Sequence, residues 1–393
     1  MRYPRALASV TWLTGASAFV IPCAQRCSPS AVAINAKGAA VTPTRQPSSP
    51  FLADATSTPR GLGTLQCTAQ PSASAEGAAG ATAPVVDGLN GAWGGGMQRV
   101  YETWRWRDFN INFRVEGPED APPILLIHGF GASVGHFRKN FPVLVDAGYR
   151  VYAVDLLGFG ASDKPGNVEF SLELWQEMLT DFIEEKSRVP TEQWVVMGNS
   201  IGGLVTLMLT ESMQEGQKVR GAVLFNTAGG LVSFRESEIP FYFIPVKWFF
   251  DNVVFGPFFG PKFFANFRTE ANVRSVLKQV YAKDVVDDEL VDMLITPGGD
   301  EGACEVFLKV FTGPPGPTPA SLLKKIKDTK VLALWGEADP WTPLNTGLHS
   351  GASLGQYLDT FQLVVLPETG HCPHDENPEG CHEALIPWLK ALA

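Results

Sequence analysis

Gly198-Asn199-Ser200-Ile201-Gly202 stands between an apolar run, Trp194–Met197, and a stretch of helical spacing over 202–214. A G-x-S-x-G pentapeptide in that setting forms a nucleophile elbow. The turn from strand to helix is so tight that its flanking positions need glycine. It lifts the serine oxygen, and the N-terminus of the following helix stabilises developing negative charge. Without that setting the same five residues are an ordinary Gly-rich turn. The flanking strand and helix point to the elbow.

Outward from this point the chain alternates. Pro123–Ile127 is a short, wholly apolar run, the pattern of a strand buried on both faces. Further runs lie at Tyr149–Val154, Ala222–Phe225, Val331–Trp335 and Phe361–Leu366, and helical segments such as 171–187 separate most of them. Val100–Trp106 and Asn110–Val115 alternate like an opening hairpin. The expected class is α/β: a mostly parallel eight-stranded sheet with helices on both faces. No internal repeat is visible.

Three further segments carry candidate chemistry. His128-Gly129-Phe130-Gly131 follows the run ending at Ile127. In a strand–elbow–helix arrangement that loop supplies one backbone N–H to an oxyanion hole, and the residue after the nucleophile supplies the other, here Phe130 and Ile201. His128 reads as a structural residue that holds the loop. Asp339 lies just beyond the run Val331–Trp335, with Glu337 as rival acid. His371 follows the run Phe361–Leu366 closely, after Gly370, with His374 as rival base. The order Ser, Asp, His matches the expected arrangement, in which the histidine takes the serine proton and the aspartate fixes its tautomer. His374 reads as a local cap or hydrogen-bond partner. His136, His349 and His382 have no motif and read as solvated.

Between about 229 and 320 the alternation stops. Eleven of the 25 Phe residues fall from Phe234 to Phe267. This insert reads as a helical, Phe-rich cap over the sheet, interrupted at Gly256, Pro257, Gly260 and Pro261. Most of its rings pack the cap itself, and a few line a pocket. The candidate substrate contacts are Phe241, Phe243, Trp248 and Phe249 from the cap, with Trp341, Gly129, Gly131 and Asn199 near the nucleophile.

The 393 residues are 45% apolar and carry a net charge of −10. That balance supports a sizeable core and excludes a sequence-wide basic footprint for nucleic acid. The cysteines Cys23, Cys27, Cys67, Cys304, Cys372 and Cys381 do not show metal-cluster spacing, and no metal or organic cofactor is expected. Cys372 and Cys381 could approach each other, but free thiols in a reducing compartment are the simpler reading. Residues 1–18 read as a signal peptide: Arg2 and Arg5, an uncharged run, then Ala16-Ser17-Ala18. An uncleaved anchor is the alternative, against which Thr, Ser, Gly and Pro dilute the stretch. Residues 19–95 are rich in Ala, Ser, Thr and Pro and poor in acids, the composition of a transit peptide and linker. With Phe19 after Ala18, the two segments resemble the bipartite plastid-targeting presequences of algae with secondary, red-derived plastids. That resemblance implies a plastid address. The folded enzyme is expected over 96–393.

HGFGAS at 128–133, DLLGFGASDKP at 155–165, GNSIGG at 198–203, WGEADPWTP at 335–343 and GHCPHDENPE at 370–379 together resemble the α/β-hydrolase fold. Within it they are similar to the plastid branch of pheophytinases and chlorophyll dephytylases. The resemblance implies Ser200, His371 and Asp339 as a catalytic triad and a hydrophobic ester substrate, the phytol ester of a chlorophyll pigment. An apolar cap face could also touch thylakoid lipid. Competing readings are a plastid lipid or carboxylester hydrolase, a perhydrolase-like enzyme, and a non-catalytic binder on the same fold. A haloalkane dehalogenase is disfavoured because it needs a carboxylate where Ser200 stands.

Overall fold

The computed structural model describes residues 101–231, 241–347 and 349–392. The signal, transit and linker readings for 1–95 lie outside the described residues.

Eight strands form one sheet: β1 (Tyr101–Trp106), β2 (Phe109–Glu116), β3 (Pro123–Ile127), β4 (Arg150–Val154), β5 (Trp194–Asn199), β6 (Val219–Phe225), β7 (Lys330–Gly336) and β8 (Phe361–Leu366). Their order is β1-β2-β4-β3-β5-β6-β7-β8. The β1–β2 and β2–β4 pairs are antiparallel, and every other pair is parallel. This is the expected α/β-hydrolase architecture. The chain moves from β3 to β4 on one side, then crosses back to β5 on the other. The reversal opens a crevice at the carboxyl ends of β3 and β5, where ligands of open α/β sheets bind.

The faces follow from strand period. Along β3, Leu125 and Ile127 enter one apolar cluster, while Ile124 and Leu126 enter the other. Each face is covered, so the run needs no polar positions. The helix Ile201–Ser212 is buried from Ile201 through Thr210, as an element apolar on all sides must be. On β1 the alternation is visible, with Trp104 and Trp106 inward. Both indoles find acceptors on the helix Leu172–Lys186: Trp104 on Glu185 at 2.8 Å and Trp106 on Asp181 at 2.7 Å. β6 begins three residues before the apolar run, because Arg220 and Gly221 hide its start. Gly221 lies in the sheet where a Cβ would meet Leu392 Cδ1 at 2.5 Å.

The insert is helical, as expected. Its helices Gly260–Phe267, Glu270–Val280, Asp288–Ile295 and Ala303–Thr312 stand between β6 and β7. Gly260 and Pro261 do not interrupt the cap. They open a helix, where proline's missing N–H costs nothing.

Candidate active site

β5 ends at Asn199 and the next helix begins at Ile201, so Ser200 alone carries the reversal. Its φ is +55° and its ψ −119°, a sparsely populated region for a residue with a side chain. The surroundings enforce it. Ser200 N donates to Phe225 O at 3.0 Å, and Ser200 O accepts from Gly203 N and Ala228 N, both at 3.0 Å. The flanking glycines are required for space. A Cβ on Gly198 would lie 2.2 Å from Gly202 O, and one on Gly202 would lie 2.3 Å from Ile127 O.

The loop after β3 lies against this turn. His128 is fully buried. Its Nδ1 meets Gly129 O at 2.7 Å, so Nδ1 carries the proton, and Nε2 accepts from Leu156 N at 3.0 Å. Burial holds its pKa down despite the Asp155 charge. His128 is therefore a neutral brace, in line with the sequence reading. Neither Phe130 N nor Ile201 N has a hydrogen-bond partner among the described residues. Phe130 lines the cavity at Ser200, whereas Ile201 is buried at the start of its helix.

Asp339 and His371 come together from two loops. His371 Nδ1 meets Asp339 Oδ2 at 2.7 Å, with both side chains buried. Asp339 Oδ1 accepts from Trp341 N at 2.7 Å and Thr342 N at 3.1 Å. Oδ2 also accepts from Asn226 Nδ2 at 2.6 Å and from the Thr342 hydroxyl. Burial by itself raises the carboxyl pKa. The His371 charge and the hydrogen bonds from His371 and Thr342 outweigh it and bring it to about 2. A carboxylate held this firmly fixes the imidazole with its proton on Nδ1. That leaves Nε2 buried and without a partner among the described residues, in the same cavity as Ser200. The arrangement can take a proton from the serine hydroxyl and return it to a leaving group.

The rival residues stand elsewhere. Glu337 is exposed at the end of β7. His374 is not a local cap: its ring lies against His136, with centroids 4.5 Å apart, and against Phe225. Both of its ring nitrogens lack partners among the described residues, and burial pushes its pKa far down. His136 is not solvated, contrary to expectation. It is buried, its Nε2 meets the Tyr281 hydroxyl at 2.9 Å, and it lines the cavity. His349 and His382 are half-buried or otherwise engaged, with His382 Nε2 at 3.3 Å from Asn140 Oδ1.

The cavity, about 190 Å³, is mainly apolar. Its cap wall comes from Phe264, Phe267, Val273, Leu277 and Phe307, while Gly129, Gly131, Asn199 and Trp341 also border it. Phe241, Phe243, Trp248 and Phe249 do not reach it. They are turned outward, and Phe241 is 82% exposed. The correction has a physical cause: in a segment so rich in Phe, composition does not mark which rings turn inward. Asn199 borders the cavity, but its amide is committed to scaffolding. Nδ2 donates to Phe225 O and His371 O, each at 3.0 Å, tying the nucleophile strand to the His371 loop.

The cap grips that loop as well. His371 N donates to Val280 O at 2.7 Å. Glu376 accepts from Gly370 N at 2.6 Å and from Ala282 N and Lys283 N at 2.7 Å. Sequence reasoning missed Asn226, Thr342 and His136. Asn226 is the first polar residue after β6, and Thr342 lies three residues after Asp339. Only position in the chain hinted at either.

The chain matches the Alpha/beta hydrolase family over residues 124–384. It is 26% identical over 272 residues to the uncharacterized hydrolase YugF of Bacillus subtilis (strain 168), covering 68% of this chain and 89% of that one. It is also 26% identical over 329 residues to the chloroplastic pheophytinase of Arabidopsis thaliana, covering 70% of this chain and 62% of the relative. Among solved structures, a serine hydrolase involved in carbazole degradation superposes with a TM-score of 0.57 at 22% identity, over 75% of this chain and 99% of that one. At that identity the likeness speaks for the fold.

Proposed function

The chain belongs to the Alpha/beta hydrolase family, and from that premise we propose that it is a serine ester hydrolase acting on the phytol ester of a chlorophyll pigment. The observation that carries the chemistry is the buried Asp339–His371 pair, 2.7 Å apart, beside a strained Ser200 in one apolar cavity. In this reading Ser200 Oγ attacks the ester carbonyl and His371 Nε2 takes its proton. The N–H groups of Phe130 and Ile201 face the oxyanion. His371 then hands the proton to the departing alcohol oxygen, leaving an acyl-enzyme. Water, deprotonated by His371, attacks the acyl carbon; the C–Oγ bond breaks, His371 returns the proton to Ser200 Oγ and the acid departs.

The substrate class rests on the cavity wall and on the pheophytinase relative. A cavity of about 190 Å³ is smaller than the roughly 300–1,000 Å³ of sites that enclose a whole ligand. In this reading it takes the ester and a segment of the isoprenoid chain, with the rest of the substrate outside. The same wall fits an acyl chain, which makes a plastid acylglycerol hydrolase the second reading. Residues 1–95 supply the plastid address in this proposal, and a reporter fused to them tests it.

The deciding experiment incubates the enzyme with pheophytin, chlorophyll and a galactolipid in detergent, with Ser200→Ala as control. Phytol release absent from the variant is the expected result. Free fatty acid without phytol transfers the activity to the lipid reading. Absence of fluorophosphonate labelling at Ser200 in a folded sample overturns the enzyme altogether.

A further inference from the structure

Among the described residues, twelve large apolar side chains stand exposed, and nine of them fall between Phe241 and Phe259. Phe241 is 82% exposed, Phe258 73% and Trp248 61%. Scattered apolar residues on a surface are ordinary, but a run of this density marks a contact face.

The chemistry of the run selects its occupant. Its charged side chains are Lys247 and Asp251, and these pair with each other. Just beyond it, Lys262 Nζ lies over the Phe258 ring at 5.5 Å. A protein partner ordinarily meets a polar rim around an apolar centre, which this run does not offer. A chain of net charge −10 gains nothing from an anionic surface. Tyr242 and Trp248 are amphipathic rings of the kind that settle at the headgroup level of a bilayer. Among the described residues no helix is long and apolar enough to cross a membrane, so the fitting geometry is one that lies on the surface.

The face is next to the cavity wall along the chain, although none of its own residues lines the cavity. The run leads directly into the helix Gly260–Phe267, whose Phe264 and Phe267 belong to the cavity wall at Ser200. Trp341, half exposed, borders the same cavity.

We propose that Phe241–Phe259 seats the enzyme on an electrically neutral lipid surface, from which a lipophilic ester reaches Ser200 without crossing water. Its purpose rests on the ester-hydrolase reading, but its measurement does not, since binding is read without turnover. The full chain is floated with phosphatidylcholine vesicles at low and high salt, beside the triple variant Phe241→Asp, Trp248→Asp, Phe258→Asp. These side chains are exposed, so circular dichroism and melting temperature should match the parent. Salt-insensitive flotation that weakens at least about tenfold in the variant is expected for an apolar contact. Equal flotation of variant and parent overturns the proposal, as does binding only to anionic vesicles. A dimer of the parent that the variant dissolves, in analytical ultracentrifugation, assigns the face to a second copy instead. A parent enzyme that floats but releases neither phytol nor fatty acid would count against the ester reading and leave this face standing.

Discussion

The sheet side and the cap side of the cavity are built on different principles. On the sheet side, position is set by backbone hydrogen bonds and by contacts too close for any other residue. Ser200 is held in its strained turn from both neighbouring elements, and Asp339 is satisfied on both oxygens. On the cap side, position is set by rings against rings. Phe307 meets Phe311 with centroids 4.5 Å apart, and Phe264 and Phe267 approach it at 5.0 and 5.1 Å. Directional bonds suit atoms that must meet within tenths of an ångström. Non-directional packing suits a wall that has only to exclude water. The ring wall and the Asp339–His371 pair are therefore separable, although the cap also holds the His371 loop through Val280 O.

That separation can be broken experimentally. Ser200→Ala should abolish turnover, with a fall in kcat on the order of a millionfold and unchanged substrate binding, read by steady-state kinetics and ligand titration. Asp339→Asn should cost about 10⁴-fold in kcat, because the imidazole is left in the wrong tautomer. Retention of more than a tenth of the activity would mean that Glu337 or another acid serves His371. On the cap side, Phe307→Ala should cost roughly 3–5 kcal/mol of stability by urea unfolding, as a buried ring in a packed cluster does. Phe241→Ala should change stability by less than about 0.5 kcal/mol. If the two Phe substitutions cost the same, the inward and outward assignment of the cap rings is wrong.

The pH dependence sharpens the sheet side. The Asp339 carboxyl falls from 3.8 to about 2 on folding. Above pH 4 it is ionised in both states, and its folded interactions contribute about 2 kcal/mol. That contribution is lost as pH falls from about 4 through 2. Melting temperature followed over this range should drop less steeply in Asp339→Asn than in the parent. His136 acts higher up. Burial lowers its pKa from 6.5 to about 4, so the unfolded chain takes a proton that the folded one refuses. Stability should therefore decline as pH falls from about 6.5 to 4, and His136→Gln should flatten part of that decline.

Much of this is legible in the amino-acid sequence. Pro123–Ile127 has in the structure the bounds its apolar run predicts, because a strand buried on both faces is an unbroken apolar run ended by turn residues. Phe361–Leu366 also keeps its predicted bounds, although it is a half-exposed edge strand. The elbow was legible because its glycines answer to sterics within five residues. Ser200, Asp339 and His371 followed from their places after strands. Asn226 and His136 were not legible, since they act through partners 113 and 145 positions away; Thr342 bonds Asp339 only three residues back, but no motif marks it.

The amino-acid order by itself determined the strands, the elbow and the candidate acid and base, because these depend on period-2 burial, on crowding between near neighbours and on place after a strand. The tertiary structure alone decided which rings of the cap face the cavity and which face out. A helix declares its buried side through contrast between apolar and polar positions. In the run from Phe241 to Phe259 that contrast is nearly absent, so only packing, as of Phe255 against Phe311, could choose.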